Sequence, residues 1–371
     1  MKNKLVYITY QTFPSRKANT IQTIDNLNYL AKYFDVELIF PLRDKSSTND
    51  INVLKDSYKI NESIKFNGLK HNYPFGKIKI FENVLFQFSQ FMWAKKTIKN
   101  RVFDSSEIFF TRSDWIFYFL SKANKSVVFE CHQLSKVRKF VMNSSIKYKD
   151  SKIIFLNNNL AADSKINKDL YKEKLKVIHN GVDSELFNNK FIKNKNEIVF
   201  IGNLTRFEKS RNLDFYISSF KSKKMPKNMI FTIIGHPSTE VERLKKFIEK
   251  NDLQKKVSVK NYMQHKKAIE AMEKSSIGLL INTEDNQHSI KYTSPLKYFE
   301  YLYAGLKIVA VNFPAHVELP FSENINFFKM DDEDSFIESI KDAQNNVSID
   351  RERLEVITLK NRAKEIKEFL I

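Results

Sequence analysis

The sequence is poor in the residues that several protein classes require. Among its 371 residues there is one cysteine, Cys131. A single thiol excludes a disulfide-stapled scaffold and any zinc site built from paired cysteines. Glycine occurs 7 times, where average usage would place about 26. No Gly-x-Gly-x-x-Gly fingerprint is present, which argues against a dinucleotide enzyme. No apolar run approaches the ~18 residues of a membrane-spanning helix, and the first residues enter a strand pattern rather than a signal peptide. The chain is therefore expected to be soluble and cytoplasmic. What it has is lysine, asparagine and phenylalanine in excess, with 62 Lys and Arg against 43 Asp and Glu, a net +19. With 42% apolar and 28% charged residues it cannot be wholly disordered. Its length suggests about two domains, each with its own core.

The charge is unevenly divided. Residues 1–180 hold 31 Lys and Arg against 16 Asp and Glu, whereas residues 181–371 hold 31 against 27. The first half could face an anionic partner, or its lysines could simply be solvated.

Apolar, β-rich runs alternate with helical patterns along the chain. Strands are expected at Lys4–Tyr10, Val36–Phe40, Ile108–Thr111, Ser126–Glu130, Lys152–Leu156 and Lys176–His179, with a helix near Thr20–Tyr33. The pattern restarts at Glu197–Ile201 and continues through Met229–Ile234, Val257–Val259, Ile277–Ile281 and Lys307–Val311, with helices between. Alternation of this kind specifies an α/β fold with parallel sheets. The predicted domains are 1–180 and 190–350, with 351–371 as a C-terminal helix returning to the first.

Three segments carry chemical signal. Thr293-Ser-Pro-Leu-Lys-Tyr-Phe-Glu-Tyr-Leu-Tyr-Ala-Gly305 reads as an abruptly started helix: Ser294 as N-cap, Pro295 at the first position, Gly305 as the stop. Its free N–H groups suit a phosphate, and Glu300 lies within reach of hydroxyls held there. A plain surface helix would carry the same cap. In Ile198-Val-Phe-Ile-Gly-Asn-Leu-Thr-Arg-Phe-Glu-Lys-Ser-Arg211 a strand ends at Gly202, and Arg206 and Lys209 follow in a loop. Val177-Ile-His-Asn-Gly-Val-Asp-Ser-Glu-Leu-Phe187 places an Asn180-Gly181 turn at the domain junction.

In this order the three segments resemble the retaining GT-B glycosyltransferases of glycosyltransferase family four, in the bacterial subgroup with a Ser-Pro-Leu-Lys donor helix. The resemblance implies two Rossmann-like α/β domains facing a central cleft. It also implies transfer of a sugar from a nucleotide diphosphate donor, UDP or GDP, to a glycan or polyprenyl-diphosphate-linked acceptor in surface polysaccharide synthesis. Lys209 matches the lysine that holds the donor diphosphate, and Glu300 the second Glu of E-x7-E, which binds ribose. The N–H groups of Pro295-Leu296-Lys297 match the start of the donor helix. Asn203 stands where many members have Arg, which leaves Arg206 to supply that cation, and Tyr292 replaces the first Glu. The base is expected near Tyr262, and His132 matches a histidine near the donor sugar. The implied catalytic residues are thus His132, Lys209 and Arg206. Donor binding falls to Gly202, Asn203, Tyr262, Ser294, Pro295, Leu296, Lys297 and Glu300.

Softer signals lie in the first half. Ser15, Arg16, Lys17 and Asn19, between the first strand and helix, are candidate acceptor contacts. In Phe81–Arg101, Val84, Leu85, Phe88, Phe91 and Met92 read as a core stripe. Phe86 and Trp93 then point outward beside Lys95, Lys96, Lys99 and Arg101. That pattern fits a helix on an anionic membrane surface, giving peripheral attachment at the inner face of the plasma membrane, or a helix buried on both faces. No cofactor, metal or nucleic-acid partner is expected. A noncatalytic binding protein of the same shape, or a sugar-nucleotide epimerase, stays open as an alternative.

Overall fold

The computed structural model describes residues 2–15, 17–60, 64–78, 81–188, 190–206 and 209–371, the side chains of Arg206 and Lys209 excepted. The chain divides into two compact units, Met1–Ile178 with Leu359–Ile371, and His179–Thr358.

The first unit runs β1 (Lys4–Ile8), α1 (Ala18–Leu30), β2 (Asp35–Leu42), α2 (Ile51–Ser57), β3 (Ile64–Lys70), α3 (Glu82–Lys99), β4 (Ile108–Thr111), α4 (Asp114–Lys122), β5 (Val127–Cys131), α5 (Lys136–Ser145), β6 (Ser151–Phe155), α6 (Asn158–Asp163) and β7 (Leu175–Val177). Its strands form one parallel sheet in the order β3-β2-β1-β4-β5-β6-β7. The second unit runs β8 (Asn194–Asn203), β9 (Thr205–Arg206), β10 (Lys209–Ser210), α7 (Leu213–Ser218), β11 (Ile230–His236), α8 (Ser238–Lys250), β12 (Val257–Asn261), α9 (His265–Lys274), β13 (Ser275–Leu280), α10 (Leu296–Tyr303), β14 (Lys307–Val311), α11 (Pro314–Val317), β15 (Ile325–Phe328) and α12 (Glu333–Asn345). Its parallel sheet has the order β12-β11-β8-β13-β14-β15. From its first strand each sheet grows outward in one direction, then returns and grows in the other. This is the doubly wound Rossmann-like arrangement, whose direction reverses between β1 and β4 and again between β8 and β13.

Burial on both faces explains why these strands read as continuous apolar runs. In β8, Ile198 and Phe200 enter one core while Val199 and Ile201 enter another, on the opposite side of the sheet. The β8 and β11 backbones stay in register to their ends, pairing Gly235 with Gly202 and His236 with Asn203. A Cβ on Gly235 would collide with the Gly202 carbonyl and the Leu204 side chain, so this position admits only glycine.

Several expectations shift. The segment 351–371 is not one helix: Arg351–Ile357 is a 3-10 turn of the second unit, and only α13 (Leu359–Leu370) joins the first. Leu359, Ala363, Ile366 and Leu370 of α13 enter the core that holds Leu5, Ile24 and Leu38. Asn180-Gly181 forms no turn, because the Asn180 N–H and side-chain amide are both engaged elsewhere. On α3 the expected core stripe is only partly inward: Phe91 packs on Trp115 and Phe119, and Leu85 and Met92 are half-buried. Trp93 is buried and Phe86 packs edge-on against Tyr10 and Phe75, whereas Val84 and Phe88 face solvent. Periodicity shows two apolar stripes, and the aromatic cluster around Tyr10 draws Phe86 and Trp93 inward as well.

One buried charge locks α13 in place. Glu130, at the end of β5, accepts a 2.7 Å hydrogen bond from Arg112 Nε and a short one from Arg362 of α13. Arg362 also donates to Asn26 Oδ1 of α1 at 2.6 Å. Burial alone would raise the Glu130 pKa, but Arg112 and Arg362 together hold it well below the usual carboxylate range. Arg362→Met should cost roughly 3 kcal/mol in denaturant unfolding, since it strands half of a buried ion pair. A loss within measurement error would show that Arg112 alone satisfies the carboxylate.

Candidate functional site

The second unit gathers its candidate residues at the carboxyl ends of β8, β11, β12 and β13, beside the reversal point where ligands enter sheets of this kind. β8 ends at Gly202, whose φ of 155° lies outside the range comfortable for other residues. Asn203 follows, exposed, its Oδ1 accepting from the Thr205 N–H and hydroxyl at 3.1 Å each. A hairpin comes next, in which β9 and β10 pair antiparallel and Arg206 stands opposite Lys209 in the backbone register. The side chains of Arg206 and Lys209, and the whole of Arg16, lie outside the described residues.

Arg211 closes this hairpin and reaches across the reversal point. Its N–H bonds the Leu204 carbonyl, and its guanidinium donates to the Ile281 carbonyl at 2.8 Å, at the end of β13. Asn282 then donates to the Ser289 carbonyl and the Thr293 hydroxyl, fixing the stretch that leads into α10. Tyr292 lies in a π-helical turn, His288–Tyr292, within that stretch.

α10 begins one residue later than its sequence suggests. Pro295, extended at ψ 123°, is the boundary residue, and no side chain caps the helix. Ser294 is not the cap, because it is tied to Asn180 instead. Its hydroxyl accepts the Asn180 N–H at 3.1 Å, and its carbonyl accepts the Asn180 side-chain amide at 2.6 Å. The N–H groups of Leu296 and Lys297, at the first two helical positions, therefore have neither an intrahelical acceptor nor a side-chain cap. At the far end Gly305, at φ 71°, completes the stop: its N–H bonds the Leu302 carbonyl and the Leu306 N–H bonds that of Tyr301.

Glu300 lies one turn inside α10 and is buried. Its Oε1 is 2.8 Å from His265 Nε2, at the start of α9, and its Oε2 accepts from Lys297 Nζ at 2.7 Å. Burial would raise its pKa, yet the Lys297 ammonium and the hydrogen bond from His265 outweigh it and hold the carboxyl at about 2. Three residues before His265, Tyr262 projects from the end of β12, 69% exposed, its ring edge-on to His236 at 6.0 Å. An exposed aromatic, an ionised carboxylate and an uncapped helix start thus follow one another along this edge of the sheet. Together they can meet a planar ring, hydroxyl groups and a phosphate. Arg211 and His265 were not found from the sequence; neither belongs to a periodic pattern, and each acts through a contact 35 or more residues away.

The remaining candidates belong to the first unit. His132 follows β5, with its Nε2 3.2 Å from Glu130 Oε2 and its side chain about a quarter exposed. Burial, with Arg112 adding to it against Glu130, lowers its pKa to about 4, so the imidazole is neutral at physiological pH. Ser15 lies in the loop between β1 and α1, Lys17 is the boundary residue of α1, and Asn19 is in its first turn. Ser15 is held by Tyr58, whose hydroxyl accepts the Ser15 N–H at 2.5 Å and donates to its carbonyl at 2.9 Å. Lys17 and Asn19 are exposed. Among the described residues, no group of three or more His, Cys, Asp or Glu could hold a metal ion, and no helix is long and apolar enough to cross a membrane.

Residues 182–357 match the sequence profile of a family described as glycosyl transferases group 1. No curated protein matches the chain. Solved structures do, over nearly its whole length. A glycosyltransferase from Rickettsia africae is 14% identical, covering 99% of this chain and 98% of that one, with a TM-score of 0.68. HepE of Anabaena, solved with UDP, is 12% identical over 99% of each chain, with a TM-score of 0.66. The lipopolysaccharide outer core galactosyltransferase WaaB is 12% identical over 99% of each, with a TM-score of 0.68. The fold is that of GT-B glycosyltransferases.

The electrostatics of Glu300 have a measurable sign. Its folded pKa lies below its unfolded one, so its contribution is complete above about pH 4.5 and is lost as pH falls toward 2. In thermal melts across that window, Glu300→Gln should lose less stability than the parent, by roughly 3 kcal/mol. Parallel acid profiles would show that the carboxylate is not held by Lys297 and His265.

Proposed function

We propose that the protein is a retaining glycosyltransferase. It moves a sugar from a nucleotide diphosphate donor, UDP- or GDP-linked, to a glycan or polyprenyl-diphosphate-linked acceptor in bacterial surface polysaccharide synthesis. The observation that carries this reading is the uncapped start of α10 with the buried, ionised Glu300 one turn inside it. The HepE structure that matches this fold holds UDP, and WaaB is described as a galactosyltransferase.

In this reading the donor phosphates lie at the N–H groups of Leu296 and Lys297, and Glu300 accepts hydrogen bonds from the ribose hydroxyls. A carboxylate has about four acceptor positions, so Lys297 and His265 leave room for both hydroxyls. The base meets Tyr262. Departure of the nucleotide diphosphate builds negative charge, which the helix start, Lys209 and Arg206 stabilise. The helix start needs no rearrangement as the charge develops. Lys297 already serves Glu300, so Lys209 and Arg206 bear most of that charge. Retention fits a front-side exchange in which a leaving phosphate oxygen takes the acceptor hydroxyl's proton as that hydroxyl attacks. His132, being neutral, acts here as a hydrogen-bonding group to the sugar, and Ser15, Arg16, Lys17 and Asn19 contact the acceptor.

Lys209→Ala should lower turnover about a hundredfold, the usual cost of removing one charge-stabilising donor. Glu300→Ala should act mainly on donor affinity, read by thermal stabilisation of the protein with UDP- and GDP-sugars. Full activity in both variants would overturn this placement. Nucleotide release without an acceptor, accompanied by an epimerised sugar, would replace transfer with isomerisation. Because the His132 pKa lies near 4, kcat/KM should show no inflection from it between pH 6 and 8. A histidine-dependent inflection in that range, lost in His132→Gln, would contradict the neutral role.

A further inference from the structure

The first unit leaves one helix face unpartnered. Phe81, at the N-terminal boundary of α3, is 78% exposed, Val84 66% and Phe88 51%. Further along the same helix Lys95 and Lys99 are also exposed. At 100° per residue the four helical positions fall within an arc of about 60°, and Phe81 adjoins it at the boundary. They form one stripe, apolar in its first half and cationic in its second. The only acid on α3, Glu82, lies off the stripe. Just ahead of the helix in the chain, Ile78 is also 50% exposed.

We propose that this stripe is the surface by which the protein docks on an anionic lipid bilayer. The tip formed by Phe81, Val84 and Phe88 enters the boundary between headgroups and acyl chains. Lys95 and Lys99 meet the lipid phosphates. The helix lies on the membrane and does not span it. Charge selects this occupant over others. The unit bearing the stripe holds 35 Lys and Arg against 18 Asp and Glu, while the other holds 27 against 25. A second copy meeting the stripe with its own would add two more lysines and no acid to pair with Lys95 and Lys99. A nucleic acid would need cations along the whole stripe, where the first half offers bare hydrocarbon. The residues that do this are not the pair singled out by sequence, since Trp93 is buried and Phe86 packs on Tyr10. This docking does not depend on the transfer reaction, and its test requires neither donor nor acceptor.

Flotation of the full chain with phosphatidylcholine vesicles, and with vesicles in which roughly a third of the lipid is phosphatidylglycerol, tests the proposal directly. The protein should float with the anionic vesicles and be released by rising salt. Val84→Ser with Phe88→Ser should weaken that binding at least about tenfold. Lys95→Glu with Lys99→Glu should weaken it by about fivefold or more per lysine and abolish the preference for anionic lipid. All four positions are exposed, so both double variants should keep the parent melting temperature. Equal recovery with the two vesicle types would overturn the proposal. So would Val84→Ser with Phe88→Ser abolishing self-association in sedimentation while leaving vesicle binding intact.

Discussion

The candidate site of the second unit depends on one buried carboxylate. Taking an ion out of water costs several kcal/mol unless its partners are already in place. Glu300 has two partners of different kinds. Lys297 is on the same helix, three residues away, and could meet it in any α-helix. His265 comes from α9 and can meet it only if α9 starts at one place relative to α10. The Glu300–His265 contact therefore fixes more than a side chain. It ties the start of α9, three residues after Tyr262, to α10, while the pairing of β12 with β11 places Tyr262 at the edge of the sheet. Asn180 does the same for the chain entering α10, by bonding both the hydroxyl and the carbonyl of Ser294. One consequence is chemical: a serine that could have capped the helix is used elsewhere, and two N–H groups at the helix start keep their hydrogen-bonding capacity for a ligand.

This dependence also explains which features were legible in the sequence. The central strands of both sheets are buried on both faces, so Leu5–Ile8 or Ile198–Ile201 cannot be anything but apolar. Edge strands are different. β3 is half-buried and reads Ile-Lys-Phe-Asn-Gly-Leu-Lys, with too little alternation to announce itself. The start of α10 was half legible. Ser-Pro at one end and Gly305 at the other mark a helix, and Glu300 falls inside the burial that its ionisation requires partners for. The cap was misassigned because the group that claims Ser294 is 114 residues away. Arg211 and His265 escaped for the same reason: a local pattern cannot report what a side chain touches across the fold.

The first unit poses the opposite electrostatic problem. Several of its acids are inside. Glu37, Glu107, Asp114 and Glu130 are all buried, and each meets cations: Lys4 and Arg101 for the first two, Arg138 for Asp114, Arg112 and Arg362 for Glu130. Those pairs are screened little by salt and belong to the architecture. The exposed lysines of α3 have no such acids on their stripe. In the second unit the surface is laced instead with short-range pairs, Arg243 with Asp214 and Glu240, Lys224 with Asp334, Lys245 with Glu242.

The two fields therefore differ in range. In the second unit these opposite charges cancel within a few ångströms, and the start of α10 adds a positive potential built into the backbone. Such a source falls off within about a turn of helix. It suits a compact anion placed against it and has little pull at a distance. In the first unit the uncancelled lysines add over the surface out to about a Debye length, roughly 8 Å at physiological salt. A field of that reach gains most from a partner whose negative charges are themselves spread over an extended plane. A single diphosphate would use only the nearest one or two lysines and leave the rest of the excess without a role. The net charge of the chain is thus two quantities of different kinds, and the larger does not come from nucleotide binding.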